Sequence, residues 1–292
     1  MTGRGRCVGV VDGITAESLK THYVRISTDN GFKLPKRKHT VAANDIEIIS
    51  EWRVFKILDS LRATATGLDQ LPAWYLRLGA SVFCKPLARL FNLSLSNSIV
   101  PQQWKQASIC PVPKVAAPTS HSDFRPISIT PILSRIMERI VVKEFLYPAL
   151  LTLPAALDFT DQYAFRPTGS TTAALTYILQ SVTDLLADNQ YVSVIALDFS
   201  KAFDTVHHYS LLEKIAQLDI PDFVYNWLVH FFCDHSHSTK YGDAISTSKS
   251  ISASIVQGSA VGPVAYVINT GDLVAVTPVS YTHLTLPTKR IV

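Results

Sequence analysis

The sequence predicts an α+β fold, and three observations carry that expectation. Apolar stripes of helical period fill the first third of the chain and recur later. The nearly all-apolar run YVSVIALDF at 191–199 has the character of a strand in a covered sheet. A Gly242–Asp243 turn between TKYGDAIST and SISASIVQG reads as a hairpin. Helices come first and strands mixed with helices follow, without internal repeats.

The elements follow in order. Residues 1–43 are mixed and basic, with three consecutive cations in LPKRKHT, and read as a tether. A helix from about 51 aligns Val54, Ile57, Leu58 and Leu61, with Gly67 as a stop. A second, over roughly 79–97, carries Phe83, Leu87, Leu90, Phe91 and Leu95, and Pro86 marks its first turn or a kink. A short strand is expected at 106–112. Ser170 caps a helix whose stripe is Leu175, Ile178, Leu179, Val182, Leu185 and Leu186. Ser210 and Glu213 have the spacing of a capping box. Pro221 suits the first turn of a last helix, with Phe223, Val224, Trp227, Leu228 and Phe231 facing a core.

Bulk properties narrow the class. The chain has 292 residues, 47% hydrophobic and 17% charged, which excludes a disordered polymer and allows a sizeable core. A net charge of +4 and a pI near 8.8 permit an anionic partner without demanding one. Cys7, Cys84, Cys110 and Cys233 form no CxxC pair and read as reduced thiols of an intracellular protein, nuclear or cytoplasmic. No apolar run spans a bilayer and the first residues lack a signal-peptide core, so no membrane partner is expected.

The chemistry-bearing residues are few. Asp198 ends the apolar run of 191–199. It either serves a site, faces solvent or caps the next turn, because a lone buried carboxylate costs several kcal/mol, roughly. QGSAVGP at 257–263 is either an ordinary turn or a loop whose glycines let backbone approach a ligand. Lys114 and Arg125 flank an expected hairpin and could grip phosphate, or simply be surface charge. Cys233, His235 and His237 lack a fourth ligand at zinc spacing, and His207 and His208 read as an exposed turn. Trp52, Trp74, Trp104 and Trp227 read as core.

Taken in order, Lys114, DFRPIS, QYAFRPTGSTTAAL, ALDFSKAFDTV and IVQGSAVGP resemble the reverse transcriptases of non-long-terminal-repeat (LINE-type) retrotransposons. The upstream TATGLDQLPAWYLR and IVPQQWKQASICPVPK are similar to the segment preceding those blocks, and the resemblance covers roughly residues 44–278. It implies a right-hand polymerase of fingers and palm, acting as an RNA-directed DNA polymerase on an RNA template, a DNA primer and a deoxynucleoside triphosphate with Mg²⁺. By that resemblance Asp198 is a catalytic, metal-binding carboxylate and the Phe199 backbone carbonyl also faces metal. Phe203 is the gate against a 2′-OH, Lys114 and Arg125 hold the triphosphate, and Gln257 and Gly258 line the nucleotide side. Arg166 shapes the template track or serves structure.

The family pattern continues into a hairpin bearing Tyr-Ala-Asp-Asp, and this sequence has no Asp-Asp pair. Asp204 accompanies the gate, and Asp272 is a single acid and is not taken as its replacement. Residues 279–292 resemble a foreign, artefactual tail. The expectation is an incomplete palm without a thumb, truncated and inactive in polymerisation. The alternatives are a non-catalytic nucleic-acid-binding remnant or a non-functional mobile-element fragment.

Overall fold

The computed structural model describes residues 11–39, 48–152, 157, 162–166, 169–196, 198–199, 201–256 and 258–273. The expected tail at 279–292 and Gln257 lie outside these residues. The described part is a mixed α/β structure with one five-stranded sheet.

The N-terminal stretch read as a tether contains helix α1 (Ala16–Ile26), capped by Thr15 and Ser18 in a reciprocal box. Its buried side buttresses the sheet through Ile14, Leu19 and Tyr23, packed with Ile109, Phe124 and Tyr241. Charge composition alone hid this apolar face. Helices α2 (Glu51–Asp59), α3 (Ala73–Leu78) and α4 (Ala80–Ser96) follow, with Ser50 capping α2. Val54 and Leu58 are buried, as their spacing predicts, whereas Leu90 is exposed. Pro86 lies inside α4, beyond its first turn.

Strands β1 (Gln106–Pro113) and β2 (Phe124–Ile129) form an antiparallel hairpin. Helix α5 (Ile132–Val141) runs through a π turn at Val142–Leu146 into the short α6 (Tyr147–Ala149). Ser170 caps α7 (Thr171–Asp188), accepting from the Ala173 amide. Helices α8 (His208–Ile215) and α9 (Asp222–Phe232) precede β3 (His235–Tyr241), β4 (Ala244–Ile245), β5 (Lys249–Ile251) and α10 (Val261–Thr270). The sheet order is β2-β1-β3-β4, with β5 also on β3, and β1 runs parallel to β3. The turn expected at Gly242–Asp243 joins β3 to β4, with Gly242 at φ +60 as such a turn requires.

The main core gathers α2, α4, α5, α8, α9 and α10. Trp227 is fully buried there, and its indole N–H donates to Ser94 Oγ at 2.9 Å.

Five expectations need correction. Residues 191–196 are not a strand, and Val194 and Ile195 lie 67% and 81% exposed. A strand needs neighbours for its backbone groups, and the described strands β1–β5 pair with one another instead. Ser210 lies inside α8, which begins at His208, so the Ser210–Glu213 spacing caps nothing. Pro221 stands at the N-cap of α9, one position before the expected first turn. His208 is buried, its Nε2 within 2.7 Å of the Ser254 carbonyl, while Trp52 and Trp74 are exposed.

Candidate functional site

Two stretches of chain build the candidate site, one at 198–199 and 201–206 and one at 253–256 and 258–260. The first is tight: the Asp204 amide donates to the Lys201 carbonyl at 2.8 Å, and Lys201 takes φ +55. Backbone bonds then lace it to the second turn. The Ile255 amide donates to the Phe203 carbonyl at 2.8 Å, and the Ser254 amide to the Val206 carbonyl at 2.9 Å. The backbone at Phe203 is therefore fixed by the segment that leads directly to Gly258.

The Phe203 ring is also fixed. It stacks on Tyr266 of α10, centroids 4.8 Å apart at 27°, and meets Phe165 edge-on at 6.1 Å. Burial pushes the Tyr266 hydroxyl pKa up, and the negative charge of Asp198 pushes it further. Asp198 thus sits within electrostatic reach of this stack. Both Asp198 and Phe199 are exposed. Phe199, Tyr266 and Asp272 line one groove along α10, where the Asp272 carboxylate pairs with Lys214 Nζ at 2.6 Å. Asp272 is thereby committed to an ion pair.

Gly258 sits at φ +112, a conformation that strains any side chain. A Cβ there would lie 2.6 Å from the Ser128 carbonyl oxygen of β2. Close approach to the chain's own backbone at Ser128 is therefore the reason for this glycine. The neighbouring Gln257 lies outside the described residues.

The β1–β2 hairpin brings the two cations near each other. Arg125 pairs with Val112 in register, and the Lys114 amide donates to the Asp123 carbonyl at 2.7 Å, just past the strand end. Lys114 Nζ donates to the Ser122 carbonyl at 2.7 Å. Lys114 also borders a cavity under α1, shared with Lys201, Asp204, His22 and Tyr23. Arg125 is not among the residues lining that cavity. In the AFRPTGS stretch, the Arg166 carbonyl accepts from the Gly169 amide at 3.2 Å, and Gly169 packs against the Tyr163 carbonyl.

Sequence reasoning missed Glu138. It lies on α5, fully buried, and accepts hydrogen bonds from Ser134 Oγ at 2.8 Å, the Ala260 amide at 2.8 Å and Ser259 Oγ. Burial pushes its carboxyl pKa up, while those hydrogen bonds, led by Ser259, pull it down. The signal was a Glu among the apolar positions of ILSRIMERIV. Arg135, three places earlier and half-buried, is bound elsewhere. It donates to Thr64 Oγ1 at 2.9 Å and to the Ala65 carbonyl at 2.7 Å, docking the TATG segment on α5.

Among the described residues, no three His, Cys, Asp or Glu side chains gather to hold a metal. Asp198 and one backbone carbonyl would supply two of the roughly six oxygens that Mg²⁺ takes, the rest coming from water and substrate phosphate. His235 and His237 face inwards from β3, buried.

Comparison with known proteins supplies the context. Residues 112–283 match the family described as reverse transcriptase (RNA-dependent DNA polymerase). The chain is 31% identical over 217 residues to the RNA-directed DNA polymerase from mobile element jockey of Drosophila melanogaster, covering 74% of this chain and 23% of that protein. It is 29% identical over 206 residues to the probable RNA-directed DNA polymerase from transposon BS of the same organism, covering 70% and 22%. It is 28% identical over 174 residues to the retrovirus-related Pol polyprotein from type-1 retrotransposable element R2 of Popillia japonica, covering 59% and 23%. The chain thus spans under a quarter of the length of these relatives.

Proposed function

The chain belongs to the reverse transcriptase family, in its non-long-terminal-repeat retrotransposon branch, and from that premise we propose that it carries the nucleotide-selecting part of an RNA-directed DNA polymerase. The observation that supports this most is the fixed arrangement of Phe203. Its ring is stacked on Tyr266 and its backbone is bonded to the segment leading into Gly258. A steric gate needs such rigidity, because a ring that yields cannot reject a 2′-OH. Gly258 brings its backbone against the Ser128 carbonyl of the hairpin that carries Lys114 and Arg125. Lys114 and Arg125 supply positive charge on the fingers hairpin for a triphosphate.

In this reading Asp198 and the Phe199 carbonyl would hold Mg²⁺, which would supply two-metal assistance to nucleotidyl transfer. This chain's residues orient the sugar, neutralise phosphate charge and exclude ribose. RNA template and DNA primer are the proposed partners, and thumb and completed palm belong to the family's full architecture. The 292-residue chain contains no adjacent Asp pair, so we propose that it binds a deoxynucleoside triphosphate without extending a primer. Primer extension on an RNA template with Mg²⁺ tests this, comparing the chain with Asp198→Ala. The expected outcome is no extension by either protein. Robust extension by the unaltered chain, abolished by Asp198→Ala, would show that one carboxylate suffices and overturn the non-catalytic part of the proposal.

A further inference from the structure

The Gly258–Ala260 turn is held from two sides. On one side the Ser128 carbonyl of β2 lies where a Cβ of Gly258 would be, so hairpin and turn are in backbone contact. On the other side stands Glu138. Its Oε2 accepts both the Ala260 amide and the Ser259 hydroxyl, and its Oε1 accepts the Ser134 hydroxyl from one turn earlier in α5. The Ser259 oxygen in turn accepts the Val261 amide at 3.1 Å, the first residue of α10. One carboxylate therefore ties α5 to the turn and to the start of the helix that carries Tyr266, the stacking partner of Phe203.

A packing role alone does not account for this choice of residue. A fully buried carboxylate is expensive, and an apolar side chain of similar size would fill the same space at less cost. What an apolar residue could not do is satisfy the Ala260 amide and the Ser259 hydroxyl and so fix their position. The cost is tolerable only because three donors converge on the group.

We infer that Glu138 is a positioning residue for nucleotide binding: it sets the backbone of the Gly258–Ala260 turn against β2 and the start of α10 beneath Phe203. The inference rests on the nucleotide-site reading above and adds to it a residue outside the pocket. Glutamine at this position retains one carbonyl acceptor for the Ala260 amide and Ser259, and its amide can donate to Ser134, so the turn stays in place. Alanine retains nothing.

The test uses the full chain with dTTP and Mg²⁺, with affinity read by equilibrium dialysis and backbone mobility by hydrogen exchange. Glu138→Ala is expected to speed exchange of the Ala260 and Val261 amides by at least tenfold and to weaken dTTP binding by a similar factor. Exchange in α2 and α4 should not change. Glu138→Gln is expected to restore dTTP affinity to within about threefold of the unaltered chain. Should the alanine variant fail to fold, Ser259→Ala carries the test: it removes one of the two turn donors and is expected to weaken dTTP binding at least threefold. Unchanged dTTP affinity in a variant whose turn has become mobile would reduce Glu138 to a structural residue and overturn the inference alone. Absence of dTTP binding by the unaltered chain would bring down the nucleotide-site reading and the inference with it.

Discussion

At the scale of single residues, the protein stores uncharged histidine in its sheet. Burial holds His235 down to about 3 and His237 down to about 4. His208, whose positive charge would add to the effect on His235, is also held low by burial. Among the described residues, His235 Nε2 and His237 Nδ1 find no hydrogen-bond partner. The consequence for stability has a definite sign. In the unfolded chain these imidazoles protonate near pH 6.5, and in the folded chain only near 4 and 3. Between those values the unfolded state binds more protons, so stability is complete above about pH 6.5 and falls as the pH drops towards 4. Urea denaturation at pH 7.5 and pH 5 should show a clear loss at the lower pH, and His237→Gln should shrink the difference between them. An equal loss in the variant would assign the acid sensitivity to other groups. The sequence offered CDHSHS as an alternating pair of histidines, and alternation did mark an inward face. What it could not show was which face, because β3 has neighbours more than a hundred positions away. Glu138 was hidden for the same reason: its donors Ser259 and Ala260 lie in another part of the chain.

At the scale of elements, local signals served the helices well and the isolated strand badly. Ser170 caps the helix its position announces, and β1 falls at the short strand expected over 106–112. The 191–199 run failed because strand character is completed only by a partner, which no local pattern supplies. Helix α7 shares the problem. Its stripe was expected to face a core, yet Leu175 is 55% and Leu179 66% exposed, and Ala174 is its buried residue. Exposed Leu175, Leu179 and Leu186 give α7 an apolar stripe open to solvent, of the kind that favours self-association. Leu179→Glu should therefore change stability by no more than about 0.5 kcal/mol. In sedimentation velocity the same substitution should lower the aggregated fraction. A loss of about 2 kcal/mol or more would mean that this face is packed.

At the scale of the whole molecule, a net charge of +4 over 292 residues is modest. Binding to a template–primer duplex should then rest on scattered Lys and Arg contacts with phosphate, and its affinity should fall steeply with added salt. Titration of a labelled duplex from about 50 to 200 mM salt checks this, and an affinity indifferent to salt would contradict it. No helix among the described residues is long and apolar enough to cross a membrane. The parallel pairing of β1 with β3 has a further effect, on the order in which the molecule can assemble. It joins Gln106 to Ser236, and the Glu17–Thr247 contact joins positions 230 apart. Closing a loop as long as the first costs about 4 kcal/mol in chain entropy before any contact repays it. Helix α1 is made well before β3, on which it rests together with β1 and β2, and an 11-residue helix has little stability alone. The β1–β2 hairpin and the α2–α4 pair can form before β3 is made, but α1 must wait for β3 to complete its seat. In pulsed hydrogen exchange during refolding, α1 amides should gain protection after those of α4, and simultaneous protection would show that α1 folds without its sheet.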